Sequence, residues 1–437
     1  MSSPVRTWRM VAVLGASALA LAACGGSDST DTADSGSSAA PSAAASATAA
    51  TNDPQNEADG QLTIGTLLPQ TGSLAFLGPP EFAGVQLAVT EINDAGGVLG
   101  KPVKKIDSDS GDTSTQIASQ SVETLLSQNV DAIIGAASSG VSKTVIDRIT
   151  GAGVIQFSPA NTSPDFTTYP DKGLYFRTAP SDVLQGRILG DLIVGDGNAT
   201  VGILALQDAY GTGLAENITK SVEGAQGKVV ETVIYDPKAA EFTSEVGKIK
   251  AADPAAIVVI GFDETAKIIQ ELAKQGIGPQ DGKKVYLVDG NTGNALGEKL
   301  PAGLLKGVQG TIPGADGGAD FRKRLLGVDP QLKDYSYSAE SYDAVNVIAL
   351  GAEVAKSDAG KEIAAKLMEV TTGGEKCTSF ADCKKLADAG TDFDYDGVSG
   401  PIEFDKNGDP TEASVGIYTY DAQNKLLPDV TYKSGKL

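Results

Sequence analysis

The sequence predicts an α/β fold of two lobes, each built on a doubly wound parallel sheet. Apolar runs of strand length alternate with amphipathic segments of helical length, and this alternation starts again after Ala179-Pro180. The 52 glycines suit the many tight turns that such a chain needs. Strand–helix–strand repeats form right-handed units with parallel strands. A chain of 437 residues is long enough for two such lobes.

Each element of the first lobe has its own signal. The run at 61–68 is apolar, as in a buried strand. A helix begins at Pro79-Pro80, because proline fits the first turn, and ends at Gly96-Gly97. Further predictions are strands at 103–107, 131–135 and 154–157, a helix capped by 112–115 and a helix at 139–150.

The second series follows the same pattern and then changes. Strands are predicted at 200–206, 228–235, 255–261 and 285–289, with helices at 211–223, 241–252 and 264–275. After 313 the chain is mainly helical, at 320–326, 339–356, 361–370 and 380–388. It ends in a predicted hairpin of 401–404 and 413–420 around the turn 405–409.

Charge and composition exclude several functions. There are 35 Lys and Arg against 56 Asp and Glu, and the formal charge of -21 disfavours binding to nucleic acid. The chain has no histidine, which removes Ser-His-Asp catalysis and His-ligated zinc. We therefore predict that the protein is not an enzyme and carries no cofactor.

The N-terminal segment has the features of an export signal. Arg6 and Arg9 precede an apolar run that is short for a membrane span, so residues 1–23 are predicted to be a signal peptide. The run ends in Leu21-Ala22-Ala23-Cys24-Gly25, which resembles the lipobox of bacterial lipoproteins. That resemblance implies lipidation of Cys24 at the outer face of the cell membrane. The alternative is an ordinary secretory cleavage beside a chance cysteine.

Residues 24–60 are predicted to be a disordered tether. Residues 25–60 include no Val, Ile, Leu, Phe, Lys or Arg, so they cannot bury enough apolar surface to offset the entropy of ordering. As a flexible coil the segment would span roughly 30–35 Å. Beyond it, Cys377 and Cys383 are six residues apart, and in an exported chain we expect them to form a disulfide.

A series of short motifs runs through the chain beyond the tether. The motifs, in order, are Ile64-Gly-Thr-Leu-Leu-Pro-Gln-Thr-Gly-Ser73, Glu81-Phe-Ala-Gly-Val-Gln-Leu-Ala-Val89, Glu91-Ile-Asn-Asp-Ala-Gly-Gly97, Ile134-Gly-Ala-Ala-Ser-Ser139, Ser158-Pro-Ala-Asn-Thr162, Phe176-Arg-Thr178, Asp208-Ala-Tyr-Gly-Thr-Gly213 and Gly397-Val-Ser-Gly-Pro-Ile-Glu-Phe-Asp405. Together they resemble the solute-binding proteins of branched-chain amino acid ABC transporters, of the type I periplasmic binding protein fold. The resemblance implies lobe 1 at 61–179 and 312–400, and lobe 2 at 180–311 and 401–437. Three strands would cross between them near 178–182, 310–314 and 400–402.

The resemblance also implies a site for an α-amino acid. Ser139, the backbone of Ala160 and Thr162 match the groups that hold the ligand carboxylate. Tyr210 matches an aromatic cover from the second lobe, and Asp289 matches the partner of the ammonium. Each residue also has an ordinary structural interpretation: Ser139 and Asp289 as caps, Thr162 as a turn residue and Tyr210 as loop packing.

The side-chain end of the ligand is less defined. Leu77 or Phe76 would line it from the first lobe, although either could be core. At Phe262 the family often has tyrosine, and Asp263 adds a charge, so a polar amide, a urea-like solute or a basic amino acid stays open beside leucine, isoleucine and valine.

The acids from Asp392 to Glu403 fit the spacing of a calcium loop. The segment leads into a predicted strand rather than a helix, so we interpret the acids as solvated turn residues and expect no metal.

The leading hypothesis is a monomeric, lipid-anchored receptor that delivers its solute to ABC permease subunits. A ligand sensor of the same fold is the alternative.

Overall fold

The computed structural model describes residues 56–437, and its first sheet has five parallel strands. Their order across the sheet is β2-β1-β3-β4-β5. The strands predicted in this region are present, and β5 is an addition. The strands are β1 (Thr63–Leu68), β2 (Lys104–Asp109), β3 (Ala132–Gly135), β4 (Ile155–Ser158) and β5 (Tyr175–Arg177).

Three helices connect these strands: α1 (Gly78–Asp94), α2 (Ile117–Ser127) and α3 (Ser139–Gly151). The predicted cap of α2 is wrong. The helix begins after Gln116 without a side-chain cap, whereas Oδ1 of Asp112 accepts a hydrogen bond from the backbone N–H of Ser114 at 2.8 Å. The short polar side chain closes a local turn instead of reaching the helix.

The second series supplies five strands and five helices. The strands are β6 (Thr200–Leu206), β7 (Lys228–Tyr235), β8 (Ala256–Ile260), β9 (Lys284–Leu287) and β10 (Gln309–Pro313). The helices are α4 (Asp182–Gly195), α5 (Ala209–Gly224), α6 (Thr243–Ala252), α7 (Thr265–Lys274) and α8 (Asn294–Glu298). The sequence analysis did not predict α4 or α8, although α4 packs closely against α5.

The helical segment after β10 covers the first sheet. It comprises α9 (Gly318–Val328), α10 (Ser338–Ala355), α11 (Gly360–Leu367) and α12 (Phe380–Asp388), with the short strands β11 (Glu375–Cys377), β12 (Phe393–Gly397) and β13 (Gly400–Pro401). Helix α10 is buried along nearly its whole length and packs on α1, α11 and α12. Cys377 and Cys383 form a disulfide in this segment.

The interpretation of the acids from Asp392 to Glu403 as solvated is wrong for Asp394, whereas Asp392 and Glu403 are exposed. Asp394 lies on the buried strand β12 and is 4% exposed. Its Oδ2 pairs with the amino group of Lys376 at 2.8 Å, and Asp396 pairs with the same group at 3.0 Å. The carboxylates therefore hold two short strands together through one lysine.

The predicted final hairpin is also wrong in its pairing. Pro401 pairs with Asp396 of β12 and Phe404 forms an isolated bridge with Pro410. The strand β14 (Glu412–Thr419) instead pairs antiparallel with β15 (Thr431–Lys436) and with β10. These strands extend the second sheet to seven, in the order β15-β14-β10-β9-β8-β6-β7. The C-terminal strands thus return to the second sheet.

The chain passes from one sheet system to the other after β5, after β10 and between β13 and β14. Lobe boundaries at 179, 311 and 400 stay a prediction.

At the N-terminal end of the described chain, Asn56 was assigned to the tether, but its amide donates to Oδ1 of Asp131 at 2.9 Å. The signal peptide, Cys24 and the tether as far as residue 55 lie outside the described residues.

Candidate functional site

A small cavity lies between the two sheets, where strands of both end. Its volume is about 10 Å³, which leaves room for about one water molecule. Seven of the nine predicted ligand-binding residues line it: Leu77, Ser139, Ala160, Thr162, Tyr210, Phe262 and Asp289. The other two, Phe76 and Asp263, line a neighbouring cavity that shares Phe262. The structure therefore brings the predicted residues together, and their contact with a ligand remains a proposal.

Ser139 stands at the N-terminus of α3 but does not cap the helix. The cap is Ser138, whose Oγ accepts from the N–H of Val141 at 3.3 Å, so the capping interpretation of Ser139 is wrong. The Oγ of Ser139 instead accepts from the N–H of Ser163 at 3.3 Å. A hydroxyl beside the free N–H groups of a helix start favours an anion.

Thr162 lies in a loop that buried side chains hold in place. Oγ of Ser158 accepts from the N–H of Ala160 at 3.2 Å, so the backbone donor that Ala160 could offer to a ligand carboxylate already has a partner within the protein. Arg177 donates to the carbonyl of Ser163 at 2.8 Å and forms a buried ion pair with Asp409 at 2.6 Å. The hydroxyl of Thr162 is buried and faces the carboxyl of Asp182.

Two aromatic rings close the cavity from the second sheet. Tyr210 sits in the first turn of α5, which Asp208 caps by accepting from the N–H of Gly211 at 2.7 Å. The Tyr210 and Phe262 rings stack with their centroids 5.5 Å apart and their planes at 9°. Both side chains are buried, so they present an apolar wall to the cleft.

Asp289 is the acceptor for three side chains. It lies just beyond β9, in the 3-10 turn Asp289–Asn291 whose cap is Val288, so its interpretation as a cap is wrong. Gln185 donates to it at 3.0 Å, and the phenols of Tyr210 and Tyr337 donate at 2.7 Å each. Burial raises the pKa of this carboxyl, and the three donors act against that rise.

Sequence reasoning missed three polar residues at the site. Besides Gln185 and Tyr337, these include Asp182, which is fully buried beside the side chain of Thr162. Burial and the nearby charge of Asp289 raise the pKa of Asp182 well above its usual range. Both Asp182 and Gln185 lie at the start of the helix that the sequence analysis overlooked, just after the motif Phe176-Arg-Thr178.

The rim residue Asp263 is different in kind. It is about half exposed and forms an ion pair with Lys299, which offsets its charge. Phe76 packs near Gly293 and is partly buried. The acid that seemed to favour a polar or basic ligand is thus neutralised within the protein.

The two sides of the cleft touch each other. Oγ of Ser163 donates to the carbonyl of Ala209 at 3.1 Å, and the Tyr337–Asp289 contact joins α10 to the end of the second sheet. Leu74, Leu77 and Ala160 pack into the same apolar cluster as the second sheet. The structure therefore has a closed cleft.

Comparison with known proteins gives the family. Residues 61–425 match the family model described as periplasmic binding protein. The chain belongs to this family. Its fold is the type I periplasmic binding protein fold, as the motifs implied, and it is a solute-binding protein rather than an enzyme.

Relatives of this periplasmic binding protein include two with named ligands. It is 26% identical over 368 residues to "Leu/Ile/Val-binding protein homolog 1" of Brucella abortus (strain 2308), covering 82% of this chain and 90% of the relative. It is 25% identical over 362 residues to the "Leucine-, isoleucine-, valine-, threonine-, and alanine-binding protein" of Pseudomonas aeruginosa, covering 80% and 88%.

Solved structures share the fold. The branched-chain amino acid transporter substrate-binding protein LivJ from Streptococcus pneumoniae, in complex with isoleucine, superposes with a TM-score of 0.69 at 24% identity, covering 86% of this chain and all of that one. A solute-binding protein from R. palustris in complex with benzoate has a TM-score of 0.68 at 18% identity, covering 86% and 98%. The family name implies a place outside the cytoplasm. Within residues 56–437, no helix combines the length and apolar character that a membrane span requires.

Proposed function

We propose that the protein captures leucine, isoleucine or valine in the cleft and delivers it to an ABC permease. The observation that carries this proposal is the position of Asp289 in one small cavity with Ser139 and Thr162, with apolar side chains around them. A zwitterion could place its ammonium group at Asp289 and its carboxylate at Ser139 and Thr162. Burying either charge without a partner would be costly, so a matched pair of ends favours an amino acid.

In the proposed pose the ligand carboxylate meets Ser139, Thr162 and the N-terminus of α3. The ammonium meets Asp289, with Asp182 nearby as a second buried acid. The two buried acids support this arrangement, because burial disfavours their charges and a cation beside them would offset that cost. Leu77, Phe76 and Phe262 then surround the aliphatic side chain.

The same groups disfavour the other solute classes. A benzoate-like ligand carries no cation and would leave Asp182 and Asp289 to be neutralised by protons alone. A basic amino acid or a urea-like solute was favoured only by Asp263, whose charge Lys299 already offsets. Aliphatic walls and paired ends together support a branched-chain amino acid.

Titration calorimetry on the purified protein tests the solute. We expect saturable binding of leucine, isoleucine and valine, and no binding of benzoate, arginine or acetamide under the same conditions. Binding of benzoate or of acetamide without leucine would overturn the assignment.

We further propose that the mature protein is a monomer, anchored outside the cell by a lipid on Cys24. The Cys24→Ala variant is expected in the medium rather than in the membrane fraction, and unchanged membrane retention would contradict the anchor.

Sensing is the second candidate function, because one relative is the "Chemotactic signal transduction system substrate-binding protein BasB" of Halobacterium salinarum, 26% identical over 358 residues. Neighbouring genes for a permease and an ATPase would favour transport, and genes for a kinase or a chemotaxis regulator would favour sensing.

A further inference from the structure

A second and larger cavity, of about 170 Å³, lies next to the cleft. Tyr337 lines both cavities. The walls of the larger one come from the end of β10, from the starts of α9 and α10, and from Tyr418 on β14 and Tyr432 on β15. It therefore sits where the chain passes from the second sheet to the helices that cover the first. Cavities of about 150 Å³ accommodate a molecule the size of benzene.

Most charges along this cavity already have partners. Arg322 pairs with Asp316 at 3.0 Å and lies over the ring of Tyr335. Lys333 pairs with Glu298 at 2.7 Å. Asp334 accepts from the side-chain amide of Asn294, also at 2.7 Å.

Glu340 is the exception among the charged residues that line the cavity. Its side chain is 3% exposed, and its carboxyl receives no hydrogen bond from any other residue in the range 56–437. One carboxyl oxygen lies against Gly314, where φ is +117° and a side chain would collide with it. Burial raises the pKa of this carboxyl to about 8, as expected for an acid without a cation beside it. The carboxyl thus lacks a positive partner.

Aromatic rings complete the wall. Tyr335, Tyr418, Tyr432 and Phe321 all line the cavity, and the phenol oxygens of Tyr418 and Tyr432 lie 3.4 Å apart. The face of an aromatic ring attracts a cation and also covers apolar groups. Rings beside one buried acid form the kind of surface that recognises an alkylammonium group.

We propose that this cavity is a second ligand site, which binds a small organic ammonium ion between the carboxylate of Glu340 and the rings of Tyr418 and Tyr432. The site is distinct from the amino-acid cleft, because Asp289 does not line it. Its walls come from both halves of the protein: Tyr418 and Tyr432 lie on strands of the second sheet, whereas Glu340 lies on α10, which covers the first. An occupant therefore contacts the segments that must move if the cleft opens.

Binding of propylammonium chloride to the full-length mature protein at about pH 9, where Glu340 is ionised and the amine is still protonated, tests the proposal. It is measured by ligand-detected NMR and calorimetry, with 1-propanol as the uncharged control. We expect saturable binding of propylammonium in the millimolar range and none of the alcohol up to about 50 mM, since four heavy atoms limit the affinity. Glu340→Gln, which keeps the shape of the side chain, is expected to weaken binding at least tenfold.

Two further variants test whether the bound ammonium ion occupies this cavity. Asp131→Asn removes another buried acid, which does not line the cavity, and is expected to retain binding. Asp289→Asn is expected to retain it as well, because that acid serves the cleft. If Glu340→Gln does not fold, as judged by circular dichroism, Tyr418→Leu takes its place with the same expected loss. Absence of saturable binding to the wild type, unchanged affinity in the Glu340 or Tyr418 variant, or loss in Asp289→Asn overturns the proposal.

Discussion

The phenol oxygen of Tyr337 lies 2.7 Å from Oδ2 of Asp289, although 48 residues separate them along the chain. Tyr337 precedes α10, whereas Asp289 follows β9 of the second sheet, so this hydrogen bond ties the two sides of the cleft. The backbone of Tyr337 is left-handed, at φ +60°, which is uncommon for a residue with a side chain. The tyrosine is therefore held in a special position by the acid that we assign to the ligand ammonium.

Replacing Asp289 with asparagine tests the amino-acid pose. The change keeps the shape of the side chain but removes the charge opposite the ammonium, and we expect leucine binding to weaken by about 3–5 kcal/mol, the cost of breaking a buried ion pair. Titration calorimetry measures this loss. Asp263→Asn is the matched control, because that acid pairs with Lys299 at the rim, and it is expected to bind leucine with nearly the wild-type affinity. Full affinity in the Asp289 variant would refute the pose.

Opening of the cleft is expected before a ligand can enter. The cavity is too small for a leucine, and Ser163 and Ala209 close it from opposite sides. Because a ligand that contacts both sides favours the closed form, saturation with leucine should compact the protein. Small-angle scattering measures the radius of gyration with and without leucine, and Asp289→Asn with leucine is the control without compaction. An identical radius in the free and saturated wild type would contradict closure.

The buried carboxyl of Asp131 predicts an unusual dependence of stability on pH. Burial raises its pKa from 3.8 to about 7, so between these values the folded state holds a proton that the unfolded state has lost. The free energy of unfolding is therefore expected to fall as the pH rises through that range, by up to about 4 kcal/mol from this group. Urea denaturation at about pH 5 and about pH 8 should show a smaller fall for Asp131→Asn than for the wild type.

The exposed residue Asp94 supplies the control for that experiment. Asp94→Asn is expected to keep the wild-type difference between the two pH values. If the free energy of unfolding falls equally between the two pH values in the wild type and in Asp131→Asn, Asp131 does not cause the effect.

The disulfide between Cys377 and Cys383 closes a loop of only a few residues. Replacing both cysteines with alanine is expected to lower the free energy of unfolding by about 2–3 kcal/mol, because a short loop loses little entropy when it is closed. Leucine binding is expected to persist, since neither β11 nor α12 lines the cleft cavity. A thiol assay on the denatured wild type should find no free thiol, and a positive reaction would contradict the bond.

The alternation of strands and helices was predictable because buried parallel strands and amphipathic helices leave strong periodic patterns. Helix α4 escaped prediction for a physical reason. Gly186 and Gly190 weaken its helical signal, and both glycines allow close packing, because a side chain there would collide with Asn217 or Ser221 of α5. Helix α4 has a weak helical signal on its own, and packing against α5 stabilises it.

The site was predictable only in part. Resemblance supplied Ser139, Thr162 and Asp289. It did not supply Asp182, which belongs to the overlooked helix, or Tyr337, which precedes a helix from a distant part of the chain. Nor could spacing alone reveal that Asp394 is a buried strand residue, because its partner Lys376 is supplied by another strand.

The hydrogen bonds of Asn56 attach the N-terminal segment to one half of the protein. Its amide donates to Asp131, and its side-chain oxygen accepts from the N–H of Gly360 at 2.6 Å; both partners belong to the body around the five-stranded sheet. A pull on the N-terminal segment therefore reaches that body first. During the proposed closure we expect this half to stay in place and the seven-stranded half to move.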